Sequence, residues 1–340
     1  MKVLFDHPNP FLLAHGGFQI QIEQTKKALE EIGVQVDWLR WWDADQTGEI
    51  IHYFGRPSAA YINYAHQKGF KVVMSELLTG LGSRSDKQRW AQKLLMTAAR
   101  ALLPASFTAK LSWDAYQLVD SAIALTAWEK NLMVEMFEAP SEKVHVLPNG
   151  VEEVFFLKPE TRNLKPERNK WLICTATITE RKRVMELAEA ALLAKVPVWI
   201  IGKPYSESDP YYLRFLDLVK KSSNLIRYEG GISDRSRLAE IYKSARGFVL
   251  LSTMESLSLS ALEAAASGCP LLLSDLPWAK STFGSSATYC PISSAILSGQ
   301  SLKSFYEQSF DCSTAPQPLT WTEIAGQLSD IYRSETRVRS

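Results

Sequence analysis

The sequence is short of cysteine. Its four, Cys174, Cys269, Cys290 and Cys312, stand far apart with no C-x-x-C pair, which argues against a zinc knuckle or a disulfide scaffold and fits a reducing, cytoplasmic setting. Nor is there an excess of either charge. The 38 basic side chains almost cancel the 37 acidic ones, so no whole-chain field points to nucleic acid. The chain has no run of about 18 apolar residues, and MKVLFDHPNP at its N-terminus offers only Val3, Leu4 and Phe5 between Lys2 and Asp6, too little for a signal-peptide core. A soluble, at most peripheral, protein is expected. No G-x-G-x-x-G follows the first apolar run, which disfavours an NAD-linked dehydrogenase.

What is present is length and alternation. The 340 residues, nearly half of them hydrophobic, give room for two cores. The opening reads as a strand (2–5), a loop with Gly16-Gly17, an amphipathic helix through about 31 and a strand (34–39). Apolar runs at 50–54, 71–74, 121–125 and 143–147 follow, with helical patterns between several of them. The charged, proline-bearing LKPETRNLKPERNK at 157–170 then interrupts the pattern and reads as a linker. The alternation restarts with strands at 171–175, 198–201, 224–228, 247–251 and 271–273, and helices from 184, at 210–221 and at 236–244. Residues 293–318 read as irregular, and a last helix is expected over 322–333. The domains predicted are 1–156, a linker 157–170, 171–318, and a terminal helix and tail 319–340. Alternating strands and helices imply two parallel sheets, each covered on both faces, with a cleft between their strand C-termini.

The most informative stretch is ESLSLSALEAAASGCP, 255–270, which places seven residues between Glu255 and Glu263. Glu255 should lie in the loop that ends the strand FVLL and Glu263 inside the next helix. Alone, the pair reads as a solvated loop acid and a cap partner: Ser258 or Ser260 could cap the helix, and Ser260 with Glu263 matches a capping box. Against that, ALEAAAS is small and apolar, so the helix is expected to be buried and Glu263 to need a partner. Ribose hydroxyls would serve, and a helix start facing a cleft attracts phosphate.

With its neighbours, this run resembles the E-x7-E signature of retaining GT-B glycosyltransferases of family 4. Four further stretches carry the resemblance. HGGFQIQIEQTKKALEEIGVQV, 15–36, looks like the family's glycine loop and first helix, and 120–156 resembles its passage ending P-N-G-V. ATITERKRVMELAEAA, 176–191, is similar to its V-G-R-L-x-x-x-K-G segment. IRYEGGISDRSRLAEIYKSARGFVLLS, 226–252, resembles the strand, base-binding loop and helix ahead of the signature. Departures are visible: Ser256-Leu257-Ser258 stands where Gly-Phe-Gly is frequent, Thr177 where an arginine stands, and Arg183 where a glycine follows the lysine. The acceptor-side strand KVVMSELL lacks the family's histidine, and Glu76 is its nearest polar candidate. His15 and His52 are alternative imidazoles; His52 in IIHYFG resembles the family's strand-end V-H-x-H pattern, with a packed histidine as the other reading.

The resemblance implies an α/β GT-B architecture: two Rossmann-like parallel-sheet domains face each other across a cleft, and the C-terminal helix crosses back to the N-terminal domain. It implies a retaining transfer of a hexose from a UDP- or GDP-sugar to a glycan, lipid-linked or small-molecule acceptor, with no metal or other cofactor. On this register Lys182, Glu255 and Glu76 are the catalytic candidates. The donor would be held by Gly16, Gly17, Thr177, Arg181, Lys182, Arg183, Gly231, Ile232, Glu255, Ser256, Leu257, Ser258, Leu259 and Glu263. A noncatalytic sugar-nucleotide or partner-binding module and a sugar-nucleotide epimerase are the alternatives. Finally, 84–110 sets Arg84, Lys87, Arg89, Lys93, Arg100 and Lys110 against Asp86 alone. It reads first as a solvated basic face over a core stripe of Trp90, Leu94, Leu95, Leu102 and Leu103, and second as a peripheral contact with anionic membrane.

Overall fold

Runs of aliphatic and β-branched residues too short for helices form the strands, and each is followed by a crossover that returns the chain parallel. The computed structural model describes residues 1–8, 11, 16–104, 107, 109–157, 168–222, 224–308 and 317–337. His15, Cys312 and most of the expected 157–170 linker lie outside these. The chain divides into two units, Met1–Gly150 with Trp321–Ser340, and Val151–Thr320.

The first unit holds β1 (Lys2–Asp6), β2 (Gln35–Trp38), β3 (Ile50–Phe54), β4 (Lys71–Ser75), β5 (Ser121–Ala124) and β6 (Val144–Val146) in the order β2-β1-β3-β4-β5-β6. Every pair is parallel; Leu4 lies opposite Asp37 on one side and Ile51 on the other. Its helices are α1 (Gly17–Glu31), α2 (Ala59–Gln67), α3 (Thr79–Gly82), α4 (Asp86–Leu102), α5 (Ala115–Leu118) and α6 (Ala127–Phe137). Side-chain caps start several of them. Ser58 accepts from the Tyr61 amide, Thr126 from the Glu129 amide, and Ser85 with Gln88 forms a capping box on α4. Gly33, at φ 84°, turns the chain out of α1 in the left-handed conformation that glycine adopts without cost. The terminal helix, Trp321–Thr336, packs on α1.

That last contact is fastened by a buried histidine. His52 on β3 meets Ser75 Oγ through Nε2 at 2.7 Å and the Tyr332 hydroxyl of the terminal helix through Nδ1, so the packed-histidine reading is the one observed. Burial pushes its pKa down to about 3. The imidazole is therefore neutral in the folded protein, whereas the unfolded chain takes a proton below about pH 6.5. Folded stability from this group falls with acid, by about 1.4 kcal/mol per pH unit between those two values. Urea titrations of wild type and His52→Asn should show the variant less stable at neutral pH, yet about 2 kcal/mol less sensitive to acidification from pH 6.5 to 5. Equal pH slopes would exclude His52 as the cause.

The second unit contains β7 (Leu172–Thr175), β8 (Val198–Ile201), β9 (Ile226–Tyr228), β10 (Gly247–Leu250), β11 (Leu271–Ser274) and β12 (Thr288–Cys290), ordered β12-β11-β10-β7-β8-β9 and again parallel. Around it lie α7 (Val184–Ala194), α8 (Pro210–Lys221), α9 (Arg235–Ser244), α10 (Leu259–Ala266), α11 (Pro277–Phe283) and α12 (Ala295–Glu307). Cys174, Cys269 and Cys290 are buried.

Two expectations are corrected. The segment expected to be irregular over 293–318 contains α12, which buries Ser298, Gly299, Leu302 and Phe305 against α7. Its small, polar residues hid a helical face whose closest approach is at Gly299, where a Cβ would stand 3.2 Å from the Ala190 carbonyl oxygen. In α4 the expected core stripe is not in the core: Trp90, Leu94, Leu95 and Leu102 are exposed, and Met96 is the helix's buried residue.

Candidate active site

The centre of the second sheet is where its strand order reverses: β7 has β8 and then β9 on one side, and β10 on the other. Loops leaving the C-terminal ends of two such strands diverge and leave a crevice, the usual ligand position in open α/β sheets. The loop after β7 carries Thr177, Arg181, Lys182 and Arg183, and the loop after β10 carries Glu255.

Backbone bonds hold these loops together. The Thr253 amide donates to the Arg181 carbonyl at 2.9 Å, and an Arg181 Nη donates to the Met254 carbonyl at 2.6 Å. The same Nη reaches Glu255 Oε1 at 3.2 Å, and Lys182 Nζ reaches that oxygen at 2.5 Å. Glu255 is buried, and its carboxylate is paired with two cations at once. Arg183 stands at φ 52°, left-handed, with its Nε buried and without a partner among the described residues. That conformation explains why a glycine suits this position and puts a backbone cost of about 1 kcal/mol on the arginine.

Neighbouring loops close on the same sheet edge. The Ile178 amide donates to the Lys203 carbonyl at 3.0 Å, and the Gly202 amide to the Gly230 carbonyl at 2.8 Å. A Cβ on Gly202 would come within 1.8 Å of the Ala176 carbonyl oxygen, so glycine is required there. Gly231 and Ile232 follow in the β9–α9 loop, and the Lys203 side chain packs over Gly231.

Beyond Glu255, Ser256, Leu257 and Ser258 are buried, and the Ser256 hydroxyl has no partner among the described residues. Ser258 caps α10, accepting from the Ala261 amide at 3.3 Å, and Leu259 opens the helix. Of the two serines expected as caps Ser258 is the one that serves, so the Ser260–Glu263 capping box does not form and Glu263 bonds elsewhere.

Glu263 belongs to a second cluster. Its Oε1 accepts from Arg235 at 2.5 Å and its Oε2 from the Tyr242 hydroxyl at 3.4 Å. Arg235 also donates to Glu152 at 2.9 Å and lies over the Phe155 ring, while Tyr242 meets Thr175 at the end of β7. Burial pushes the Glu263 carboxyl above its ordinary pKa even against Arg235. None of Arg235, Tyr242, Thr175 and Lys203 was singled out in the sequence. The one signal for a partner was the need of a buried Glu263 for a cation, and it does not say which cation.

The remaining candidates lie in the first unit. Gly16 is the N-cap of α1, with no side-chain cap bond, and Gly17 is its first residue. Glu76 follows β4 and is gripped by Arg56 from two nitrogens, each at 2.8 Å, and by the Tyr116 hydroxyl. The Arg56 guanidinium lies against the Phe137 ring, 4.6 Å from its centroid. Arg56 and Glu76 line a cavity of about 230 Å³ with Gly80, Gln92, Trp113 and Phe137. The D-x-D spacing of Asp43-Ala44-Asp45 serves a turn: Asp43 accepts from Arg40 and from the Asp45 amide, and the Arg40 bond holds its pKa below the ordinary value.

Residues 158–291 match the family model for glycosyl transferases group 1. That segment is similar to the glycosyl transferases group 1 domain. Among curated proteins, the chain is similar to mannosylfructose-phosphate synthase of Agrobacterium fabrum, 25% identical over 174 residues, which are 46% of this chain and 38% of that protein. The match thus spans little more than a third of that relative's length. Among solved structures, HepE (Alr3699) of Anabaena in complex with UDP aligns over 98% of this chain and 100% of that one, with a TM-score of 0.69 and 14% identity. Sucrose-phosphate synthase of Thermosynechococcus elongatus aligns over 98% of both chains at a TM-score of 0.65 and 16% identity. The fold shared with them is GT-B, built from two Rossmann-like α/β units. Among the described residues, no helix is long and apolar enough to cross a membrane.

Proposed function

We propose that the protein transfers a hexose from a UDP- or GDP-sugar to an acceptor hydroxyl with retention at the anomeric carbon and without a metal. The observation that carries this reading is the pairing of Lys182 and Arg181 with buried Glu255 at the strand-order reversal of the segment similar to the glycosyl transferases group 1 domain. Three successive cations, Arg181, Lys182 and Arg183, stand just before α7, where cations are unfavourable unless an anion visits. A diphosphate supplies that anion. UDP-glucose is the first donor to test, because the Anabaena neighbour is solved with UDP-glucose as well as with UDP.

In this reading Glu255 holds sugar hydroxyls, and Glu263 holds the ribose through Oε2, whose bond to Tyr242 is long. Lys182 and the start of α10 stabilise charge developing on the diphosphate as its bond to the anomeric carbon breaks. The acceptor oxygen bonds to that carbon from the face the diphosphate leaves, and its proton passes to a donor phosphate oxygen. The products are a glycoside and a nucleoside diphosphate. Glu76, held by Arg56, is assigned to the acceptor side.

The test is a thermal-shift panel of UDP, GDP, UDP-glucose and GDP-mannose, followed by NMR of the product's anomeric proton. A ligand at about 100 times its Kd adds about 2.7 kcal/mol of stability and raises the unfolding temperature by several degrees. Absence of a shift with every nucleotide would reject donor binding, and an inverted anomer would reject retention. Conversion of the donor sugar without acceptor would favour an epimerase.

A further inference from the structure

Helix α4 is turned inside out. At about 100° per residue, Trp90, Ala91, Leu94, Leu95, Ala98 and Leu102 fall within an arc of about 140°, while Arg89, Gln92, Met96 and Arg100 share the opposite arc. An amphipathic helix normally packs its apolar arc on the core. Here the polar arc faces inward. Arg89 lies over the Trp128 ring at 4.3 Å, Arg100 pairs with Glu138 at 2.8 Å, and Gln92 lines the cavity that holds Glu76. The apolar arc faces solvent, with Trp90 67%, Leu94 50%, Leu95 71% and Leu102 81% exposed.

The inward bonds fix this orientation. Rotating α4 to bury its leucines would strip Arg89 and Arg100 of their ring and carboxylate partners and turn both cations into the core. Four large apolar side chains on one helix make a patch of the kind that marks an interaction surface.

Charge says what covers it. Arg84 just ahead of α4 and Lys87 and Lys93 on it are exposed, and the single acid between residues 84 and 110, Asp86, is engaged by Arg89. A second copy docked face to face would set these lysines against one another, whereas an anionic lipid surface complements them. At about 25 Å, α4 is too short and its inner arc too polar to span a bilayer, but a tryptophan and leucines flanked by lysines suit a helix lying in the headgroup boundary. We propose that α4 docks the first unit onto an anionic bilayer, Trp90, Leu94, Leu95 and Leu102 entering the acyl boundary and Lys87 and Lys93 meeting lipid phosphates. The cavity holding Glu76 lies against the inner face of the same helix, so docking would bring that cavity to the membrane surface.

The test is sedimentation of the full chain with phosphatidylcholine vesicles and with vesicles containing about 30% phosphatidylglycerol, at low and high salt. The wild type should bind the anionic vesicles at least about tenfold more tightly than the neutral ones and release at high salt. Trp90→Ser/Leu94→Ser/Leu95→Ser and Lys87→Glu/Lys93→Glu should each lose that binding at an unchanged unfolding temperature, since the altered side chains are exposed. Equal partitioning onto the two vesicles, or undiminished binding by either variant, would overturn the proposal. So would a dimer in solution that the serine variant dissociates, because a second copy would then own the face. This outcome is independent of donor chemistry, as binding is read without nucleotide.

Discussion

Lys182→Ala is expected to lower turnover by about 10²–10³-fold while leaving the fold intact. Lys182 Nζ is the nearest cation to Glu255, and its side chain is mostly buried at the end of the loop after β7. A fixed cation in such a place costs no reorganisation when charge develops on a leaving phosphate, which is why its removal falls on kcat more than on KM. Arg181 remains at 3.2 Å from Glu255 in the variant, so the carboxylate does not become an unpaired buried charge. Lys182→Arg, which keeps the charge but moves it, should recover part of the rate. Steady-state rates with the donor selected by thermal shift, and calorimetry with UDP, separate the two effects. Normal turnover in folded Lys182→Ala would remove its catalytic role, and a lost UDP affinity with unchanged kcat would make it a binding residue only.

The reach of the sequence is clearest around Glu255. Its place in a loop and that of Glu263 in a helix follow from the end of the apolar run FVLL and from the small-residue stretch after it, and β10 and α10 stand accordingly. Lys182 was legible because its spacing from the preceding strand matches the family's, and Arg183 because a basic side chain stood where glycine is usual. Its φ of 52° gives the physical reason for that preference. Arg235 was not legible: as the first residue of α9 it looks like any solvated arginine until the sheet brings α9 beside α10. The same holds for α4. Its periodicity announces an amphipathic helix, but periodicity cannot say which face turns inward, because that is decided by Trp128 and Glu138, far along the chain. Helix α12 was lost for another reason. Its buried face is built from Ser298 and Gly299 as much as from Leu302 and Phe305, and hydropathy alone undervalues a face chosen for close approach.

Arg235→Met should destabilise the second unit by about 3–5 kcal/mol at neutral pH, the cost of leaving a buried carboxylate without its cation. Arg235 stands between Glu152 and Glu263, and its nitrogens bond both. Glu263 is almost wholly buried, and burial already raises its pKa with Arg235 present. With the cation gone, the folded protein would hold a protonated Glu263 over a wider range, whereas the unfolded chain ionises near the ordinary value. A carboxyl whose folded pKa is raised loses stability as pH climbs from the unfolded value to the folded one. The deficit of Arg235→Met should therefore be small within the ordinary carboxyl range and grow as the pH rises above it. Adding Glu263→Gln should restore much of the loss, because an amide is less costly to bury than a lone carboxylate, and the double-mutant cycle then yields the coupling of the pair. Glu263→Gln by itself should weaken UDP binding if Oε2 meets the ribose; unchanged affinity would leave the Arg235 pair as the whole of its role. A pH-independent deficit below about 1 kcal/mol would instead place the pair among surface salt bridges and remove the argument that buried Glu263 depends on Arg235.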